Sequence, residues 1–317
     1  MSELTAEPQS AAPPSEQGAA PPASLLHDLT SAGLRLECAG RRADVVLCAP
    51  DRRNAQTPAT WGALAAAGAW LSGRADVVVL RAEGPSFSAG LDRRAFTPEG
   101  IPGEPGLFQL AALDDAALDA RIAGYQAGFT VWSSAPFISL AAVAGHAVGA
   151  GFQLALACDL RIAADDAVFA MKEPTLGLVP DLGGTGPLVA ADGYPRALEI
   201  CATGRWVTAA EAASLGLVQA VTTTADLLGT VQAWVTALLA APAGAVRAGR
   251  PVARAGRRAV RFRRPLNGAR NSPRRKVRPV RGVDGDAPDE RRRQCQGTWG
   301  GRRSARTHGT AAWGSAG

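Results

Sequence analysis

Two carboxylic acids near the middle of the chain are the side chains best suited to proton chemistry. Glu173 and Asp181 stand eight residues apart, across a stretch that contains two prolines and a glycine, so we expect both in one irregular loop. A positioned carboxylate can take a proton from carbon and return it. The structural alternatives are that Glu173 caps the loop and that Asp181 satisfies turn amides.

Gln153 stands 20 residues before Glu173, on a predicted helix of apolar residues. Its amide can hold a water molecule or a carbonyl group by hydrogen bonds, but it cannot exchange protons near pH 7. Gln153 is therefore interpreted either as a substrate contact or as a structural residue.

Two loops of small residues, over 86–92 and 145–151, each follow a short apolar strand. Small residues let the backbone approach a ligand, and free amides at a helix start carry partial positive charge. Two such amides can converge on one oxygen as an oxyanion hole, where each is worth on the order of 3 kcal/mol in a transition state. The alternatives are packing turns or a dinucleotide site, but no acidic residue ends a following strand at the ribose-binding interval.

The surrounding pattern predicts the elements that must position these residues. Residues 34–48 alternate as a hairpin, 61–71 and 110–133 read as helices, and 75–81 and 137–143 read as buried strands. Further along, we predict a helix over 152–158, short strands over 160–163 and 168–170, and helices over 188–193, 196–203, 209–215 and 227–239. Alternating strands and helices predict an α/β fold with helices covering the sheet.

Three segments carry a resemblance to a known family. Residues 87–92 (FSAGLD), 144–159 (AGHAVGAGFQLALACD) and 169–185 (FAMKEPTLGLVPDLGGT) are similar, in order and spacing, to the signature segments of the enoyl-CoA hydratase/isomerase (crotonase) family. The similarity covers roughly residues 34–245. It implies a crotonase-like ββα spiral with helices packed on the sheets and a C-terminal helical region, which here is disturbed.

The resemblance also implies a site. By analogy, the amides of Leu91 and Ala150 form the oxyanion hole for an acyl-CoA thioester, which is the expected partner and already contains coenzyme A, so no separate cofactor is expected. The residues implied in binding that substrate are Arg53, Ala55, Ala89, Asp92 and Gly149.

The choice of reaction turns on the acids. Hydratases of this family place glutamates at two positions that correspond here to Gln153 and Glu173. With one acid absent, double-bond isomerisation by Glu173, alone or with Asp181, is favoured over hydration of a 2-enoyl-CoA. The alternative of another class is an acyl-CoA binding protein without catalysis.

Composition and charge divide the chain into three predicted regions. The N-terminus is rich in Pro, Ala, Ser and Glu, and we predict a disordered leader over residues 1–30. Residues 1–243 carry 14 Lys/Arg and 24 Asp/Glu, whereas the remainder carries 20 Lys/Arg and 4 Asp/Glu. We therefore predict the acyl-CoA domain over 31–246 and an Arg-rich tail over 247–317 that is disordered or the product of a frame shift. A nucleic-acid-binding tail is the remaining alternative, and its sparse aromatic residues do not favour it.

Other classes of protein are not indicated. The five cysteines have wide, irregular spacings that predict neither a metal site nor a disulfide framework. No apolar run reaches the length of about 20 residues that a membrane helix requires. We expect a cytoplasmic protein. The family resemblance implies a homotrimer or a hexamer if the C-terminus is intact.

Overall fold

The computed structural model describes residues 20–242, 244–245 and 249–250. Most of the predicted leader and of the Arg-rich tail lies outside the described residues. The prediction of a leader that extends to residue 30 is wrong, because Ala23–Ser31 forms helix α1. Leu29 is buried, and Leu25 also packs against the main core, so this short apolar helix is held by tertiary contacts.

The described strands form two sheets. In the larger sheet the order is β1-β2-β3-β4-β6-β9, with β1 antiparallel to β2 and the other pairs parallel. In the smaller sheet the order is β5-β7-β8. The strands are β1 (Leu34–Ala39), β2 (Arg42–Leu47), β3 (Val77–Ala82), β4 (Ile138–Val143), β5 (His146–Val148), β6 (Leu160–Ala164), β7 (Val168–Ala170), β8 (Val207–Thr208) and β9 (Ala220–Thr222).

The remaining described helices connect and cover these strands. They are α2 (Pro58–Leu71), α3 (Leu107–Ala111), α4 (Asp115–Ser134), α5 (Ala150–Ala157), α6 (Thr185–Thr203), α7 (Ala209–Ser214) and α8 (Leu227–Ala240). Short 3-10 helices occupy Pro50–Arg52, Arg93–Phe96 and Glu173–Leu176. No helix in the described part of the chain is both long and apolar enough to cross a lipid bilayer.

The central strands of the larger sheet, β2, β3, β4 and β6, are largely buried on both faces, as their continuous apolar sequences predict. One face contributes Val78 and Leu80 to the main core, which also includes residues of α2, α4 and α5. The other face contributes Val77 and Val79 to a second cluster that includes Val231 of α8. This two-sided cover confirms the predicted α/β class with helices packed on the sheet.

Two predicted helical regions differ in detail from the structure. The single helix predicted over residues 110–133 is instead α3 and α4, because the Asp114 side chain accepts a hydrogen bond from the Ala117 amide at 2.8 Å and starts a new helix there. The two helices predicted over residues 188–193 and 196–203 correspond to α6, whose helical path is interrupted at Gly193, with φ 77° and ψ 164°.

The end of the described chain contacts the fold. Arg250, which the sequence places in the Arg-rich tail, pairs with the Asp159 carboxylate at 2.7 Å. Its guanidinium also donates to the Trp132 carbonyl oxygen at 2.9 Å. Residue 250 therefore contacts α4 and the loop before β6 rather than lying apart from the domain.

Helices α2 and α4 approach each other closely at Gly128. A Cβ atom on Gly128 would lie 2.5 Å from the Trp61 carbonyl oxygen, so a larger residue must push the two helices apart. Gly124 lies one turn earlier in α4 and has open space around the same position.

We predict that Gly128→Ala lowers the free energy of unfolding by about 1–3 kcal/mol, the usual cost of overpacking. The matched control Gly124→Ala should raise it by up to about 1 kcal/mol, since alanine favours the helix. Denaturant unfolding measures both. Equal effects of the two substitutions would contradict the close approach of α2 and α4.

Candidate active site

A cavity of about 1020 Å³ lies beside the start of α5. Leu91, Gly149, Ala150, Gln153, Glu173 and Asp181 all line it. The fold therefore brings the predicted catalytic and oxyanion-hole residues to one cavity. In the sequence, Gln153 and Glu173 are 20 residues apart, and Leu91 lies 62 residues before Gln153.

Backbone hydrogen bonds hold the two glycine loops against each other. The Ser88 amide donates to the His146 carbonyl oxygen at 2.8 Å, and the Val148 amide donates to the Ser88 carbonyl oxygen at 3.0 Å. Gly90 has φ +88°, and a Cβ atom there would lie 2.5 Å from the Val148 carbonyl oxygen. Only glycine fits this position without displacing the neighbouring loop.

The Leu91 and Ala150 amides are the free donors of this junction. Among the described residues, neither N–H has a hydrogen-bond acceptor. The peptide groups beside Leu91 are already used, since the Gln56 amide donates to Gly90 O at 2.7 Å and the Asp92 amide donates to Gln56 O at 2.8 Å.

Ala150 is the first residue of α5, so its amide has no partner within the helix. The predicted start at residue 152 is wrong by two residues, because Gly149 at φ +51° turns the chain directly into the helix. The two amides are close neighbours, since a Cβ atom on Gly90 would lie 3.5 Å from Ala150 N. Both residues line the cavity, as an oxyanion hole would require.

Glu173 supplies a carboxylate to the same cavity. Its Oε1 accepts a hydrogen bond from Gln153 Nε2 at 2.7 Å. Its Oε2 is buried and has no hydrogen-bond partner among the described residues. An unpartnered buried carboxylate oxygen is costly for stability and is a recurrent feature of functional sites.

Both acids have raised pKa values. Burial raises the pKa of Glu173 above its ordinary range, the nearby Asp181 charge adds to this, and the hydrogen bond from Gln153 opposes it. Asp181 is exposed as a whole residue, yet it lines the cavity, and loss of water around its carboxyl group raises its pKa. Carboxyl groups with raised pKa values in a cavity are suited to proton transfer at carbon.

The predicted substrate-binding residues are divided by the structure. Ala89 and Gly149 line the cavity, whereas Arg53, Ala55 and Asp92 do not. Asp92 is buried, and its carboxylate is paired with Arg94 at 2.8 Å and with Arg52 at 3.6 Å. Its contacts are therefore within the protein, while Arg53 is exposed next to the Ala89 loop, where its carbonyl oxygen accepts from the Ala89 amide at 2.9 Å.

The apolar wall was not predicted residue by residue. It includes side chains of α2, α3, α4 and the 3-10 helix after Asp92, among them Trp61, Phe96, Leu107, Leu110, Leu118, Ile122 and Tyr125. The helical spacing of residues 118, 122 and 125 is the signal that could have identified the α4 face. Spacing could not show that this face covers a cavity rather than the core.

No group of three or more His, Cys, Asp or Glu side chains within the described ranges could hold a metal ion. Cys158 is fully buried, and desolvation raises the pKa of its thiol to about 12. These observations add no further reactive group to the cavity.

A sequence model of the enoyl-CoA hydratase/isomerase family matches residues 43–255. Among solved structures, the chain is similar to a protein from Thermobifida fusca that is named an enoyl-CoA hydratase and was crystallised with acetoacetyl-CoA. That match has 49% identity and a TM-score of 0.70, and it covers 73% of this chain and 90% of the other. An enoyl-CoA hydratase structure from Geobacillus kaustophilus matches with 28% identity and a TM-score of 0.62, over 71% and 82% of the two chains.

Curated relatives give shorter matches. A Mycobacterium leprae protein with the name "Probable enoyl-CoA hydratase echA8" is 38% identical over 143 residues, which are 44% of this chain and 56% of the relative. An enoyl-CoA hydratase/isomerase of Bacillus subtilis is 48% identical over 89 residues, which are 28% and 34% of the two chains. The chain thus spans about half or less of the length of these curated relatives.

The raised pKa of Glu173 predicts a pH-dependent effect on stability. Burial favours the protonated form of this carboxyl group. Its contribution to the free energy of unfolding is therefore full below the ordinary glutamate pKa and is lost as pH rises through the pKa of the folded state. We predict that Glu173→Gln is more stable than the parent at neutral pH and that the difference shrinks on acidification. Thermal unfolding across pH measures this.

Glu199→Gln is the control of opposite sign. Hydrogen bonds from Arg205 lower the pKa of Glu199, so its removal should give no gain in stability at neutral pH. A Glu173→Gln protein that is less stable than the parent at neutral pH would contradict the unpartnered environment described for this carboxylate.

Proposed function

Because the chain belongs to the enoyl-CoA hydratase/isomerase family, we propose that it is an enzyme that moves the double bond of an enoyl-CoA thioester through an enolate. The observation that carries this proposal is the convergence of two free amides and one unpartnered carboxylate oxygen on a single cavity. Coenzyme A is then part of the substrate. A homotrimer or hexamer, given an intact C-terminus, stays a prediction from the family resemblance. A cytoplasmic location stays a prediction from the sequence.

The amides of Leu91 and Ala150 bind the thioester carbonyl oxygen in this proposal. When a proton leaves the adjacent carbon, C2, negative charge develops on that oxygen. Two fixed N–H donors stabilise the charged state more than the neutral one, by about 3 kcal/mol each. The positive end of α5 adds to the same effect, since Ala150 is its first residue.

Glu173 is the proposed base. Its carboxylate takes a proton from C2 of a 3-enoyl thioester, and the electron pair of that C–H bond enters the enolate, conjugated with the C3–C4 double bond. A carboxyl proton is then delivered to C4, the double bond moves to C2–C3, and the thioester carbonyl is restored. If Glu173 returns its own proton, the carboxylate is regenerated directly.

Asp181 is the second carboxyl group available to this cycle. If it supplies the proton to C4, Glu173 ends protonated and Asp181 ionised, and one proton passed between them restores the starting state. Both groups line the cavity and interact electrostatically, so this exchange needs no additional reactant.

Gln153 supports isomerisation over hydration. Hydration requires one group to take a proton from water and another to protonate C2, and an amide can do neither near neutral pH. The Gln153 side chain instead donates a hydrogen bond to the Glu173 carboxylate. The second candidate is hydration of a 2-enoyl-CoA with water between Glu173 and Asp181, which the names of the similar proteins favour.

The direct test is turnover of 2-enoyl- and 3-enoyl-CoA thioesters of several chain lengths. We predict conversion of 3-enoyl to 2-enoyl substrates, with kcat reduced roughly 10²–10⁴-fold in Glu173→Gln because a general base is lost. Formation of 3-hydroxyacyl-CoA as the main product would favour hydration. Tight acyl-CoA binding without any turnover would support the non-catalytic alternative and contradict the proposal.

A second prediction tests the amide pair. Gly90→Ala should reduce kcat roughly 10²–10³-fold, because the new Cβ meets Val148 O and shifts the Leu91 amide away from the thioester oxygen. Gly73→Ala is the matched control, since Gly73 also has positive φ, at +81°, but has open space and lies outside the cavity wall. Equal activity of the two folded variants would argue against an oxyanion hole at Leu91.

A further inference from the structure

Two glutamine side chains hold the loop that carries Asp181. Gln153 of α5 and Gln126 of α4 each form hydrogen bonds with the backbone of this loop. We infer that Gln126 and Gln153 are positioning residues that fix segment 181–184, and through it the Asp181 carboxyl group, beside the cavity that Glu173 lines. This inference rests on the proposed function, in which Asp181 is the second carboxyl group.

Gln153 links the loop to the base. It is only 1% exposed. Its Oε1 accepts hydrogen bonds from the Leu182 amide at 3.0 Å and the Gly184 amide at 3.2 Å. Because the carbonyl oxygen faces these two donors, the NH₂ group must face Glu173, to which it donates at 2.7 Å. A glutamate here could accept both loop amides but would place a second carboxylate against Glu173.

The backbone is closely packed at this contact. A Cβ atom on Gly184 would lie 2.7 Å from Gln153 Cγ and 3.0 Å from its Cα atom. The loop can reach the Gln153 side chain only because residue 184 lacks a side chain. The contact between Gln153 and the loop therefore depends both on a buried glutamine and on a glycine at residue 184.

Gln126 holds the other end of the segment. Its Nε2 donates to the Asp181 carbonyl oxygen at 2.6 Å. Gln126 follows Tyr125 in α4, and Tyr125 and Ile122 of this helix line the same cavity. The segment itself is outside helix and strand until α6 begins, and Gly183 has φ +93°. Its geometry therefore depends on side-chain contacts of this kind.

The two glutamines differ in how they can be tested. Gln153 is buried and touches Glu173 directly, so its replacement would disturb the base as well as the loop. Gln126 contacts the Asp181 carbonyl oxygen at an exposed edge of the helix, and the side-chain donor to Glu173 in the described part of the chain is Gln153. Replacing Gln126 should release Asp181 without unfolding the protein and without removing a hydrogen bond from Glu173.

The experiment is a double-mutant cycle of Gln126→Ala and Asp181→Asn in the full chain, with Thr130→Ala as an exposed control on the same helix. We expect Gln126→Ala to lower kcat for 3-enoyl-CoA on the order of tenfold, since small displacements of a catalytic group have large effects. In the Asp181→Asn background the same change should cost less than about twofold, because coupled residues are not additive. Thr130→Ala should match the parent.

Equal losses in both backgrounds, or no loss in the parent background, would overturn the inference while leaving the proposed function intact. A parent without turnover would overturn the proposed function. In that case a second measurement still tests the positioning role of Gln126. It is a ¹³C NMR titration of the Asp181 carboxyl group, whose signal is assigned because it is absent from Asp181→Asn. The pKa of Asp181, raised by burial, should fall in Gln126→Ala as the carboxyl group gains water, and an unchanged pKa would overturn the inference.

Discussion

The backbone contact between Ser88 and the strand β5 is the constraint on which the rest of the site depends. Two hydrogen bonds of 2.8 and 3.0 Å join segments that are about 60 residues apart in the sequence. They place Gly90 so close to Val148 that no other residue fits. As a result, the Leu91 amide and the first amide of α5 lie side by side with no acceptor among the described residues. Both loops leave the ends of buried parallel strands, so the surrounding sheet fixes where they meet.

The carboxyl groups are organised around this junction by glutamine side chains. Gln153 lies on α5, one turn after Ala150, and reaches both Glu173 and the loop after Asp181. A position where hydratases of the family place a second acid is therefore used here for hydrogen bonding. In the proposed mechanism, proton transfer falls to Glu173 and Asp181, whose pKa values are raised chiefly by burial. Isomerisation can be carried out by one carboxyl group that takes a proton and returns it, whereas hydration normally shares its two proton transfers between two groups. This is why the amide at residue 153 shifts the proposal toward isomerisation.

The sequence allowed much of this arrangement to be predicted, for definite reasons. Apolar strands such as Val77–Ala82 and Ile138–Val143 have a strong local signal, and the three family segments brought Leu91, Ala150 and Glu173 into register. Helix α1 was missed because proline and alanine around it are typical of disorder, whereas its order comes from tertiary contacts of Leu29. Gln126 was missed because its contact with Asp181 spans 55 residues, and no spacing rule encodes it. Asp92 was predicted to bind substrate because it lies in the first family segment, residues 87–92. Its pairing with Arg94 and Arg52 could be seen only in the structure.

The most direct test of the account is exchange of the C2 hydrogens of a saturated acyl-CoA with deuterium from the solvent, followed by mass spectrometry. This substrate has no double bond to move or hydrate, so exchange reports only enolate formation between the two amides and Glu173. The account predicts exchange that requires the protein and is lost in Glu173→Gln. Binding of the thioester without exchange, or exchange that persists in Glu173→Gln, would contradict it.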